Sequence, residues 1–171
     1  MVAVVVADEE KGHLEELVLR LERESGKGRV KWHKAEHPRR MAFMEAVAAH
    51  PGFVYSLYVS VATGKISYLE ATARSTAEAV SLHLSHQLEE LREVRMVIDG
   101  LQKGERSAFR QTVSRYGLPR VTATGARDET TALVRLADAL AGLKRAELEG
   151  SNEAANLVDR LKRRSILEEV S

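Results

Sequence analysis

The chain has no cysteine, which removes disulfide frameworks, thiol catalysis and cysteine-bound zinc, and fits a reducing compartment. It has almost no excess of either charge: 26 Lys and Arg stand against 25 Asp and Glu, a formal net charge of +1. That balance excludes a uniformly basic nucleic-acid coat and an acidic tail. Long apolar runs are missing too. The longest, Val2 to Ala7, falls far short of the roughly 20 residues that span a bilayer, so no membrane partner is expected. Met1 to Glu10 has no basic start and runs into Asp8-Glu9-Glu10, unlike a secretory signal. There is no Gly-rich phosphate loop, Gly-Xaa-Ser-Xaa-Gly elbow or internal repeat, which leaves nucleotide-hydrolase and esterase readings without support. What is present is 171 residues, 44% hydrophobic and 30% charged. A chain of that size and balance is expected to form one soluble, cytoplasmic globule, since a domain takes roughly 100–200 residues.

The order of elements points to an α/β fold. Val2 to Ala7 reads as a buried strand, with Asp8 capping a helix that carries Leu14, Leu17, Val18 and Leu21 at helical spacing. Arg29-Val30-Lys31-Trp32-His33 reads as a short edge strand, and Pro38 suits the first turn of a second helix with Met41, Met44, Val47 and Ala48 inward. Phe53 to Val61 alternates and reads as a half-buried strand. After a Thr63-Gly64 turn, a long helix carries Leu69, Ala73, Ala77, Val80, Leu84, Leu88 and Leu91. Val94 to Gly100 reads as a buried strand, Ala108 to Tyr116 as a helix closed by Pro119, and Val121 to Thr124 as a further strand. A helix from about Glu129 to Glu149 follows, then a last amphipathic helix bearing Leu157, Val158, Leu161 and Leu167. Only the first and fourth of these five strands look buried on both faces, so a mixed sheet flanked by helices is expected.

Two acids stand out. Asp99 follows Val97-Ile98 at the carboxyl end of a strand, where open α/β sheets place their ligand sites; the competing reading is a residue that begins a turn. Asp138 lies among apolar and small residues in Leu133 to Gly142, where Ala137, Ala141 and Gly142 would let the helix approach the sheet. A partly buried carboxylate needs a cation, a metal or N–H donors, and Arg135 or Arg145 would serve as a structural partner. Two carboxylates about 4 Å apart at an effective dielectric near 20 repel by roughly 4 kcal/mol, so such a pair favours a divalent cation between them. Mg²⁺ or Mn²⁺ suits oxygen ligands, and phosphoryl transfer is the chemistry they support. A third feature is basic: Lys27, Arg29, Lys31, Lys34, Arg39 and Arg40 face one acid, Glu36, with Trp32, His33 and His37 interleaved. Cations around an aromatic ring suit a nucleic-acid strand, although a sole Trp also suits a core edge. The pairs His33/His37 and His83/His86 lack a metalloprotease glutamate and read as surface or boundary residues.

With these pieces placed, the chain resembles a family of mostly prokaryotic proteins catalogued as domain of unknown function 3800, whose fold is similar to ribonuclease H and retroviral integrases. Arg135-Leu136-Ala137-Asp138-Ala139-Leu140-Ala141-Gly142 resembles the family's Gln-Leu-Ala-Asp-Leu-Ile-Ala-Gly helix. Val97-Ile98-Asp99 resembles its hydrophobic strand ending in Asp, and Gly28 to Lys34 its Gly-Glu-Leu-Lys-Trp-Ser-Lys segment. The likeness runs from about Val2 to Gly150. It implies a ribonuclease H-like domain over 1–150, with 151–171 an amphipathic helix packing on it. It also implies a nuclease-type site in which Asp99 and Asp138 hold Mg²⁺ or Mn²⁺ and carry catalysis, and with such a site the basic stretch is expected to contact nucleic acid through Lys31, Lys34, Arg39 and Arg40. The family's opening Asp-Glu-Ser-Gly strand has no match here, and Val2 to Ala7 looks like its second strand. Arg29 stands where the family usually has Glu, and a cation there lowers metal affinity. The alternative expectation is therefore a binding or assembly module that has lost the metal site and forms a homodimer through an unpaired strand edge.

Overall fold

Strands and helices alternate through most of the chain, and the computed structural model describes residues 1–7, 13–61, 66–87, 93–126 and 131–170. In order these are β1 (Val2–Val5), α1 (His13–Glu24), α2 (His37–Ala49), β2 (Leu57–Ser60), α3 (Tyr68–Gln87), β3 (Val94–Asp99), α4 (Arg106–Arg115), β4 (Val121–Ala126), α5 (Ala132–Leu148), α6 (Asn152–Arg163) and β5 (Leu167–Glu169). The expected cap at Asp8, the Thr63-Gly64 turn, Leu88, Leu91 and Glu129 lie outside the described residues.

The strands make two sheets: β1-β2-β5, with β1 antiparallel and β5 parallel to β2, and the parallel pair β3-β4. Each sheet carries its own apolar cluster. The first gathers α1, α2, α5 and α6 over Leu57, Val59 and Leu167, with Ala3 and Val5 packed against it. The second gathers Ala73, Ala77 and Val80 of α3 with Met96, Ile98, Phe109, Val113 and Ala123, and takes Val6 at its margin. The mixed α/β reading holds, in small mixed sheets rather than one continuous one.

The expected burial of the strands is reversed. Every residue of β2 is buried, whereas β1 and β3 are only partly so. Leu57 and Val59 enter the first cluster, while on the opposite face the Tyr58 ring meets His83 of α3 edge-on at 6.4 Å. Helices on both faces leave β2 no solvent side. The strand also starts later than the alternation suggests. Phe53 lies in a 3-10 turn, Pro51–Phe53, and Tyr55 is left-handed at φ 57°. Its carbonyl collects the Tyr58 hydroxyl at 2.8 Å and His83 Nδ1–H at 2.7 Å. His83 is thus a buried, satisfied histidine, with Gln87 donating to its Nε2 at 2.8 Å, not a boundary residue.

Two further expectations fail locally. Arg29 to His33 is no strand: the segment ends in a 3-10 turn, Trp32–Lys34. Its main chain is bound by side chains, Lys27 Nζ donating to the carbonyls of Gly28 and Val30, which leaves no ladder to form. The final helix also stops before Leu167. Ser151 caps α6 by accepting from Ala154 N–H, and the helix buries Leu157, Val158 and Leu161. After Arg163 the backbone reverses at Ser165, φ 54°, and Leu167 pairs with Leu57 in β5.

Glu169 fastens that last strand. Its Oε1 accepts from Lys144 at 2.8 Å and Lys162 at 2.7 Å, and these hydrogen bonds hold its pKa down at about 2. A depressed carboxylate stabilises the fold above the unfolded pKa and loses that contribution as pH falls through the folded value. Glu169→Gln is therefore expected to be less stable than the parent at pH 7, by a few tenths of a kcal/mol because the pair is half-exposed. The gap should narrow from about pH 4.5 downward and close near pH 2. Urea unfolding of both proteins across that range checks it; a gap that stays constant with pH contradicts it.

Candidate functional site

Asp99 is exposed at the last position of β3, beside the turn made by Gly100 at φ 72°. Side chains alternate along a strand, and Met96 and Ile98 enter the second cluster. Asp99, with Val97 and Arg95, therefore belongs to the opposite face of β3. That face lies toward α5, which packs against β3 but gives its buried apolar residues to the first cluster alone. Asp99 has structural work as well: its carbonyl accepts from the Tyr68 hydroxyl at 3.5 Å.

Asp138 is half-buried in the second turn of α5. Its Oδ2 accepts the backbone N–H of Trp32 at 2.7 Å, and among the described residues its Oδ1 accepts no hydrogen bond. Neither Arg135 nor Arg145 is its structural partner; a main-chain N–H from a segment 106 positions earlier takes that place. The helix α5 follows β4, whose last residue Ala126 lies beside Asp99 in the ladder, and Asp138 is about 9 Å along the axis from Ala132 at a rise of 1.5 Å per residue. Asp99 thus ends β3 beside β4, and Asp138 lies on α5, the helix that follows β4 and packs against β3.

Gly142 makes room for the Trp32 indole: a Cβ there would collide with Trp32 Cδ1, Cγ and Nε1. Trp32 is buried and carries Arg40, whose guanidinium lies 5.1 Å from the ring centroid. The basic stretch therefore divides by depth. Lys27 is interior, Arg40 lies on Trp32, and Arg29, Lys34 and Arg39 are exposed, Arg39 paired with Glu36 at 3.1 Å; Lys31 is half-buried.

A buried ionic cluster joins α1 to α5, one that the sequence pattern did not single out. Glu22 receives Arg135 through both oxygens, at 2.8 and 2.7 Å, and Lys27 at 3.2 Å. All three side chains are buried. Burial pushes the Lys27 pKa down, against the pull of the Glu22 charge. The signal was available: Glu22 stands four positions after Val18 on the apolar stripe of α1, a place a solvated acid avoids.

No family model matches the chain, nor does any curated protein or solved structure. The chemistry of the site therefore rests on its own geometry. Among the described residues no three His, Asp or Glu side chains gather into a metal cage, and no helix is long and apolar enough to cross a membrane. Two aspartates still suit Mg²⁺, which is commonly held by one or two carboxylates together with substrate phosphates and water.

Proposed function

We propose that the chain is a ribonuclease H-like, divalent-metal-dependent phosphodiesterase acting on nucleic acid in the cytoplasm. What supports this most is that Asp99 ends β3 while Asp138 lies on α5, the helix that packs against that strand. Asp99 and the Oδ1 of Asp138 would hold Mg²⁺ or Mn²⁺, with the Trp32 N–H orienting the Asp138 carboxylate. The metal would supply Lewis-acid activation of water and of the phosphoryl oxygens. Lys31, Lys34, Arg39 and Arg40, on the segment that carries Trp32, would hold the phosphate backbone and make binding fall with salt.

The test is cleavage of single- and double-stranded DNA and RNA with Mg²⁺ or Mn²⁺. Asp99→Asn and Asp138→Asn are each expected to slow cleavage on the order of 10²–10³-fold, the scale of losing one main stabiliser of developing charge. Equal rates in parent and Asp99→Asn, or no cleavage of any substrate, would remove the enzyme. The thinness of the acidic set among the described residues favours the second reading, a binding or assembly module that keeps the fold without the metal; it binds partners but not Mn²⁺.

A further inference from the structure

Among the described residues each sheet ends in a strand with one unpaired edge, β1 in the first and β3 in the second. In the first sheet β1 pairs only with β2, and in the second β3 pairs only with β4, among the described residues. One face of both β1 and β3 is crossed by α5. Across the other lies α3, which packs against β1 and sends Ala73, Ala77 and Val80 to Met96 and Ile98. The strands β1 and β3 are therefore neighbours under shared helices, yet they form no ladder. With at most isolated exceptions their Cα atoms lie more than 8 Å apart, whereas paired strands sit about 4.8 Å apart. One strand inserted between them would need two such spacings, about 9.6 Å.

The main chain along this slot is set for pairing. Val6 N–H donates to Ser56 O at 2.9 Å, and the register sets Val5 opposite Leu57. Bonded and non-bonded pairs alternate in an antiparallel ladder, so Val2, Val4 and Val6 bond to β2 while the peptide groups of Ala3 and Val5 point into the slot. On the other side Val94 N–H donates to Arg120 O and Gly100 N–H to Ala126 O, at 3.1 and 3.3 Å. The even-numbered residues of β3 thus bond to β4, and the peptide groups of Val97 point away from β4. Neither Lys nor Pro guards β1, which reads Val-Ala-Val-Val; natural edge strands usually carry such a guard.

We propose that this slot is a docking site for an extended apolar segment of another polypeptide, which adds as a strand to both sheets at once. The occupant follows from the walls. Two unpaired edges demand a segment free on both sides, which the sheet edge of a second copy is not, because it is already bonded on one side. Helices over both faces demand apolar side chains at successive positions rather than an alternating pattern. Main-chain hydrogen bonds would supply affinity, as in other strand additions. The proposal needs no metal and no cleavage, so it stands or falls separately from the nuclease reading.

The probe is a fluorescein-labelled Lys-Ser-Val-Ile-Val-Ile-Val-Ser-Lys peptide titrated into the full chain, with a control in which the two Ile are Pro. Saturable anisotropy, weakened at least tenfold by the Pro control, is expected. Bound peptide should also slow amide hydrogen exchange at least tenfold at Ala3, Val5 and Val97 together. No saturable binding, or equal binding of the Pro peptide, overturns the proposal. So does protection confined to β1, which would mean stacking on one edge. Protection of Ala3 and Val5 that rises with protein concentration without peptide would show a second copy as the occupant and overturn it too.

Discussion

Arg135→Met is expected to lower stability by about 3–5 kcal/mol, the range for breaking a buried ion pair by removing one partner. Glu22, Lys27 and Arg135 are 1%, 3% and 2% exposed, so none of them regains water while the fold persists. Arg135 supplies the two shortest bonds to Glu22. Without it, Glu22 keeps only Lys27 among the described side chains, at 3.2 Å. Lys27 is a weak substitute because it also serves the carbonyls of Gly28 and Val30. Glu22→Leu should be at least as damaging, since it leaves two cations together in the interior. Replacing all three by Leu, Met and Met should recover much of the loss, because apolar residues of similar volume commonly match a buried ionic group. Urea midpoints with unchanged slopes measure all of this. A loss below 1 kcal/mol for Arg135→Met would mean that water reaches the cluster.

Gly142→Ala is expected to destabilise by about 1–3 kcal/mol, the scale of overpacking a well-packed core, although it replaces glycine by the best helix former in a helix interior. Propensity alone would make the change favourable by nearly 1 kcal/mol. The added Cβ would overlap three atoms of the Trp32 ring, and a collision with a buried indole outweighs the helical gain. The indole must move, and its backbone N–H carries the bond to Asp138. The chain has one Trp, so its fluorescence reports the site directly: the emission of Gly142→Ala should shift to the red as the ring gains water. Trp32→Ala empties a cavity and should cost about 3–5 kcal/mol. Combined with Gly142→Ala it should lose less than the two singles together, since the methyl then has space. Unshifted emission and raised stability in Gly142→Ala would show that the ring does not rest on Gly142.

Where structure followed from local pattern, the sequence was readable. The stripes of α1 and α2 appear at their helical spacing because each has one apolar side to bury. Asp99 ends its strand and Asp138 lies on its helix as read. What escaped was fixed by partners distant in sequence. Val30 and Trp32 alternate like a strand, but Lys27 and Asp138 bind the main chain there instead of a neighbouring strand. The full burial of β2 depends on α3 covering the Tyr58 side, which no alternation within Phe53 to Val61 discloses. Leu167 continues the apolar spacing of α6, yet the reversal at Ser165 sends it into a sheet. The buried partner of Arg135 is not Asp138, three positions along the same helix, but Glu22 in α1, a pairing across 113 positions that no local spacing discloses.

Asp99 and Asp138 are proposed to act together on one divalent ion, and calorimetric titration of the purified chain with Mn²⁺ reads this out. One saturable binding event is expected in the parent, lost in Asp99→Asn and equally lost in Asp138→Asn, with both variants keeping the unfolding free energy within about 1 kcal/mol of the parent. Binding that survives either substitution, or no binding in the parent, would contradict it.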